Sequence, residues 1–152
     1  MRRLALVFLS LSAILVVSAA TVTPAYAATT VTHKWVNIDG SGKCLNAKNA
    51  STVNVTSCVS TDTQKWAVTT LSNKKLKIVS VTQPNKCLDS NYDRAVYLYT
   101  CNGGTYQQWE PVVKATNRTV LRNAETKVCL DNNGSSVYMY PCNYGDFERW
   151  AQ

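Results

Sequence analysis

The sequence predicts an all-β domain made of three copies of one disulfide-stapled unit, closed on itself like a barrel. Three observations carry that prediction: a tryptophan at a fixed distance behind a cysteine, three cysteine pairs of nearly equal separation, and short β-type runs bounded by turn residues. Cys58 is followed by Trp66, Cys101 by Trp109 and Cys142 by Trp150, each time at the same interval. The tryptophans recur roughly every 40 residues, the fixed internal period of a repeat architecture. Three copies, residues 31–71, 72–114 and 115–152, fill the chain beyond its first segment.

Within each copy the residues read as short strands. Lys34 to Ile38, Lys74 to Val81 and Thr119 to Arg122 open the copies, and each is followed by a polar turn and a Cys-Leu pair. Val96-Tyr97-Leu98-Tyr99 and Val137-Tyr138-Met139-Tyr140 combine β-branched and aromatic types, with turns at Asn102-Gly103-Gly104 and Asn132-Asn133-Gly134. No helical period is evident beyond the first segment. Strands this short indicate a barrel or sandwich, and threefold repetition favours a closed form, because no copy can bury its apolar face alone. Trp66, Trp109 and Trp150 could stack on a ligand. One large apolar residue per copy, at fixed distance from a disulfide, is more simply core.

The first segment is not part of that domain. Met1-Arg2-Arg3 precedes the apolar stretch Leu4 to Val17 and then Ala25-Tyr26-Ala27, the order of a secretory signal. The expected division is a signal peptide over 1–27 and a secreted, extracellular domain over 28–152. No later run approaches the roughly 20 apolar residues that a bilayer requires, so no membrane insertion is expected. In an exported chain six cysteines read as three disulfides. Six thiols formally allow fifteen connectivities, but the matched spacing pairs Cys44 with Cys58, Cys87 with Cys101 and Cys129 with Cys142, each inside its own copy. A loop of that size contributes about 3 kcal/mol per bridge on the chain-entropy model.

Composition excludes several functions. The formal net charge is +7, of which Arg2 and Arg3 supply two, and the remaining lysines are scattered apart from Lys74-Lys75-x-Lys77. Nucleic-acid grooves interleave cations with aromatics in a stripe, and none exists here, so no nucleic-acid partner is expected. Zinc sites pair cysteines two to four residues apart; that pattern is absent, and His33 reads as a solvated strand residue, so neither metal nor cofactor is expected. Glycoside hydrolysis needs two carboxyl groups across one bond, and a serine triad would have to recruit the lone His33 with no nucleophile motif at any serine. The domain is therefore expected to be a monomer without catalytic residues.

Gln64-Lys65-Trp66, Gln107-Gln108-Trp109 and Glu148-Arg149-Trp150, each behind a Cys-Leu-(Asn/Asp) and a second cysteine, resemble the Gln-x-Trp repeats of ricin-B-type lectins. The resemblance covers essentially all of residues 28–152 and implies a β-trefoil that binds carbohydrate. The second copy, with Leu88-Asp89-Ser90-Asn91-Tyr92 leading through Val96-Tyr97 to Asn102-Gly103-Gly104-Thr105-Tyr106-Gln107, is similar to the actinohivin-like bacterial lectins. Asn123-Ala124-Glu125-Thr126 is a further similar stretch. That similarity implies glycan partners of the mannose type.

Carried over by position, the resemblance assigns Asp89, Tyr97, Asn102 and Tyr106 to a pocket in the second copy, with Tyr99 where the family has an apolar wall. In the third copy it assigns Asp131, Tyr138, Tyr140 and Asn143, with Phe147 in place of the phenol, and Tyr144 replaces the first glycine of Gly-Gly. That replacement bears on backbone approach to a ligand, and the third copy stays a second candidate site. The first copy has Asn46, Asn54, Thr56 and Val59 at these positions and is expected to bind nothing.

These residue types suit a sugar. A pyranose offers vicinal hydroxyls on its rim and an apolar C–H face, so a pocket needs fixed acceptors beside an aromatic wall. A carboxylate accepts from two neighbouring hydroxyls and an asparagine both donates and accepts. Asp89 could instead cap a turn, and Tyr97 and Tyr99 could lean to different sides of their strand. A protein-binding trefoil, such as an inhibitor or toxin component with decayed sugar pockets, is the alternative of another class.

Overall fold

The structure, a computed structural model, describes residues 28–37, 39–115 and 117–152, with the backbone alone for 113–115. The signal expected over 1–27 lies outside the described residues. The β-branched and aromatic runs form short antiparallel strands. In the first copy these are β1 (Thr30–His33), β2 (Val36–Asn37), β3 (Lys43–Ala47), β4 (Val53–Thr56) and β5 (Trp66–Thr70). The second copy holds β6 (Leu76–Ser80), β7 (Gln83–Ser90), β8 (Val96–Thr100) and β9 (Gln108–Ala115). The third holds β10 (Arg118–Asn123), β11 (Cys129–Asn132), β12 (Val137–Tyr140) and β13 (Arg149–Trp150). The opening strand expected from Lys34 to Ile38 is broken: His33 ends β1, Lys34 and Trp35 bridge, and β2 begins at Val36. His33 is half-buried, its ring 6.4 Å from that of Trp35.

In every copy the outer strands join a barrel and the inner two form a hairpin. β1 pairs β5, β6 pairs β5 and β9, and β10 pairs β9 and β13. The ring closes where Val36 and Ala151 exchange backbone hydrogen bonds of 2.9 and 2.7 Å. The hairpins β3–β4, β7–β8 and β11–β12 meet at one end through a cyclic set of bonds. Val55 N–H donates to Ser135 O (3.4 Å), Leu98 N–H to Ser51 O (2.9 Å) and Met139 N–H to Arg94 O (3.0 Å). Each copy thus gives one donor and takes one, which is a β-trefoil.

The tryptophans are core, all fully buried. A buried indole needs a partner for its N–H, and the Cys-Leu pair supplies it: Trp66, Trp109 and Trp150 donate to the carbonyls of Leu45, Leu88 and Leu130 at 3.1, 3.0 and 3.1 Å. That contact joins the two motifs at nearly the same separation in every copy, 21, 21 and 20 residues. The disulfides close within copies as spacing indicated, Cys44–Cys58, Cys87–Cys101 and Cys129–Cys142.

One local feature departs from the strand-only expectation. Just ahead of each tryptophan lies a single turn of 3-10 helix, Asp62–Gln64, Thr105–Gln107 and Asp146–Glu148, too short to leave a helical period. Its last residue turns inward. Gln64 donates to Ser57 O (2.9 Å) and accepts from Val59 N–H (2.8 Å); Gln107 repeats this with Thr100 O and Asn102 N–H, both at 2.9 Å. The buried amide satisfies backbone groups at the hairpin exit that no strand pairing serves.

Candidate functional site

The β7–β8 hairpin places the second-copy residues. Asp89 and Tyr97 are cross-strand partners, and Leu98 points into the core while Tyr97 and Tyr99 share the opposite face. A two-residue strand period puts them there, so they do not lean apart; their rings meet edge to face at 6.5 Å. Tyr99 is 55% exposed and forms an open wall. Tyr106, on the 3-10 turn, is half-buried and stands edge-on to Tyr92 at 5.9 Å. Asn102 accepts from Gly104 N–H through Oδ1 (2.8 Å), an Asx turn that fixes the loop.

Asp89 sits 4% exposed. Its Oδ2 accepts from Gln107 Nε2 at 2.8 Å, so the glutamine of Gln-x-Trp clamps both the loop and the carboxylate. Burial raises the Asp89 pKa above the ordinary value of 3.8, opposed by the Gln107 amide, the nearby Ser90 N–H and the Tyr97 hydroxyl. Even so, Asp89 Oδ1 is left without a hydrogen-bond partner, and so is the neighbouring Ser90 Oγ. An orphaned buried acceptor is rare in a folded protein. Among the described residues the carboxylate is therefore not wholly occupied by its own main chain as a turn cap would be. The same field, burial first and then the Asp89 charge, raises the Tyr97 pKa.

A residue that sequence reasoning left without a role arrives from the third copy. Glu125 accepts from the Thr105 hydroxyl and from Tyr92 OH at 3.4 Å, placing a second carboxylate at the rim, where it helps raise the Tyr106 pKa behind burial and Tyr92. Asn123 anchors it by donating to Tyr106 O at 2.7 Å. The Asn123-Ala124-Glu125-Thr126 stretch was the only available signal.

In the third copy Asp131, Tyr138, Tyr140, Asn143 and Phe147 line one cavity of about 300 Å³, joined by Gly145 and Asp146. Phe147 packs over Gly40, where a Cβ would stand 2.7 Å from its ring. Tyr144 is not in the lining and takes the left-handed conformation of Gly103, φ 58° against 75°. The loop path is kept, and the cavity lies beside it. The carboxylate is held differently: Asp131 Oδ1 accepts from Asn132 N–H at 2.6 Å, and burial raises its pKa. Glu148 replaces the clamping glutamine. Fully buried, it accepts from Tyr144 N–H (2.8 Å) and Asn143 N–H (3.1 Å) but cannot donate to Asp131. Burial raises its pKa, and the Asp131 charge adds to the rise.

In the first copy Asn46 Nδ2 donates to Asn54 Oδ1 at 2.8 Å, so the two residues at the pocket positions spend their amides on each other. Val59 lies 49% exposed where the other copies have Asn102 and Asn143.

The model of the ricin-type β-trefoil lectin domain matches residues 33–150. The chain belongs to that family, and its domain is a carbohydrate-binding lectin domain. Among solved structures it resembles a designed threefold-symmetric protein, ThreeFoil, at 27% identity and TM-score 0.71, over 79% of this chain and 96% of that one. It also resembles SeviL, solved bound to the asialo-GM1 saccharide, at 16% identity and TM-score 0.67, over 81% of this chain and 96% of that one. The exo-beta-1,3-galactanase 1,3Gal43A of Clostridium thermocellum matches at 21% identity and TM-score 0.68, over 84% of this chain. The chain spans only 30% of that enzyme, and 29% of the hemolytic lectin CEL-III. No curated protein matches.

Proposed function

We propose that the protein is a secreted, monomeric lectin for mannose-containing glycans, which binds through the Asp89 pocket and the Asp131 pocket and leaves the sugar chemically unchanged. One observation carries this reading: Asp89 is buried and clamped by Gln107 yet keeps Oδ1 unpartnered, beside Tyr97 and Tyr106. A pyranose hydroxyl that reaches Oδ1 of this 4% exposed carboxylate supplies the missing donor, and the tyrosine wall takes the sugar's C–H face. Hydrogen bonds to a charged acceptor are worth about 1.5–3 kcal/mol each. The leader Met1 to Ala27 supports secretion, and the similarity of the second copy to mannose-binding lectins supports the sugar class.

Pockets this shallow bind single sugars at about the millimolar level, near −4 kcal/mol. Two pockets on different copies raise avidity for a polymer by roughly 10²–10⁴ where both can engage. The test is retention of residues 28–152 on immobilised mannan and elution by free mannose. Flow-through would overturn the mannose reading, and capture of a protein partner with no glycan retained would favour the protein-binding alternative. Asp89→Ala should remove most of the retention; unchanged retention would reject the second-copy assignment.

A further inference from the structure

Beside the second-copy pocket lies a second cavity of about 370 Å³, between the β5–β6 turn and the loop that carries Asn102. Gly103, the residue after Asn102, lines it together with Asn73, Gln108 and Lys77. So does Gln107, the residue that clamps Asp89, which sets this cavity against the Asp89 site. Asn73 Nδ2 donates to Gln108 Oε1 at 3.0 Å and Gln108 Nε2 to Gly103 O at 3.0 Å. That pair of amides is committed, which leaves the Ser72 hydroxyl and the Lys77 ammonium able to meet a ligand, and of these only the lysine is charged.

Internal symmetry shows that this lysine is unlike its counterpart. Lys34 holds the same place in the first copy, ten residues ahead of the first cysteine, and its Nζ donates to Val59 O at 2.9 Å. Val120 holds that place in the third copy, opposite Arg149 as Lys77 stands opposite Gln108, and is buried and uncharged. Lys77 makes no hydrogen bond or ion pair among the described residues, although its neighbour Lys75 reaches Glu110 at 3.6 Å. Glu110 is shared with Arg122 at 2.7 Å and Lys127 at 3.1 Å. One carboxylate thus faces three cations, and Lys77 next to them adds a fourth. The face around the cavity is net positive, and at this place in the repeat only the copy with the clamped Asp89 carries a lysine with an uncommitted head.

We infer that this cavity is a subsite for an anionic group, a carboxylate or a sulfate ester, on the sugar next to the one seated at Asp89. The inference rests on the proposed glycan function and extends it from neutral to acid-substituted polysaccharide. A partly exposed ion pair of this kind is worth a two- to fivefold change in Kd, about 0.4–1 kcal/mol, and salt screens it. Neither Asp89 nor Glu125 lines the cavity, so nothing acidic in the lining opposes the charge.

The experiment measures Kd of the full domain for three forms of one mannan: neutral, sulfated, and oxidised to carry carboxylates. Wild type should bind at least one anionic form about two- to fivefold more tightly at low salt, with the excess lost at high salt, and the two anionic arms tell sulfate from carboxylate. Lys77→Gln should abolish the excess and leave neutral mannan unchanged, Lys77→Arg should keep it, and Lys48→Gln, on the first copy, should change nothing. Equal Kd for all three mannans, or an excess that survives Lys77→Gln, overturns the inference while the neutral-mannan reading stands. Loss of neutral binding in wild type would instead overturn the glycan reading on which the inference rests.

Discussion

Replacing Asp89 by asparagine separates a binding carboxylate from a structural cap. The side chain is 4% exposed, takes one hydrogen bond from Gln107 and leaves Oδ1 unpartnered. A buried polar atom without a partner costs about 1–3 kcal/mol, and burial accordingly raises the Asp89 pKa. A carboxyl whose folded pKa lies above its unfolded value contributes stability that is complete below the unfolded pKa and lost as pH rises through the folded one. At neutral pH the ionised group is therefore a net cost. Asp89→Asn removes the charge and keeps an acceptor for Gln107, so neutral-pH stability should hold or rise, and the stability difference between acid and neutral pH should shrink. Binding should move the other way. An amide offers one acceptor where the carboxylate offers two, so at least one charge-assisted bond of about 1.5–3 kcal/mol is lost, more than a tenfold weakening. Thermal unfolding at acid and neutral pH, with mannan titration of both proteins, reads both quantities. A drop in stability of more than about 1 kcal/mol with binding retained would show that Asp89 is a cap and refute the argument.

Four further outcomes follow from the same geometry. Because the Asp89 pKa is raised by burial, mannan affinity at the second-copy pocket should begin to fall at a pH above the ordinary carboxylate value of 3.8 as acid is added; affinity flat down to that value would contradict it. Glu148→Gln restores the donor that Gln64 and Gln107 supply and removes a carboxylate that burial and Asp131 destabilise. Stability at neutral pH should rise by about 1 kcal/mol, a gain that vanishes below the ordinary glutamate value of 4.5, as denaturant titration at two pH values will show. Gly40→Ala puts a Cβ 2.7 Å from both Phe147 and Asn37 Oδ1, which should cost about 1–3 kcal/mol and weaken the third-copy pocket alone, measurable in an Asp89→Ala background. Opening Cys44–Cys58 with paired serines should cost about 3 kcal/mol and leave glycan affinity unchanged, since that copy presents Asn46 and Asn54 bonded to each other.

Much of the fold was legible before any coordinates. The equal interval from each second cysteine to its tryptophan identified the repeat, and it recurs because every copy makes the same internal contact, the indole of Trp66, Trp109 or Trp150 on the leucine carbonyl of its own copy. The disulfide pairs were readable for the same reason, since they too close inside a copy. The break at Lys34–Trp35 and the 3-10 turns were not, because two or three residues are too few to leave a period in the chain. Asp89, Tyr97 and Asn102 were assigned by position through the resemblance, whereas the sequence reading left Tyr97 and Tyr99 free to lean to different sides, and the pairing of β7 with β8 sets them on one face.

The chain alone thus determined what repeats: which residue types return at which places, and hence the family, the copies that keep an aspartate beside aromatics, and the copy that does not. Only the tertiary structure decided what those residues touch. Gln107 reaches Asp89 across the hairpin, Glu125 arrives at the second-copy rim from the third copy, and Lys34 is spent on a carbonyl while its equivalent Lys77 is not. Periodicity records the contacts that each copy makes within itself. Hydrogen bonds are directional and short, so a contact between copies, or one that symmetry-related copies make differently, exists only once the ring has closed and fixed the distance.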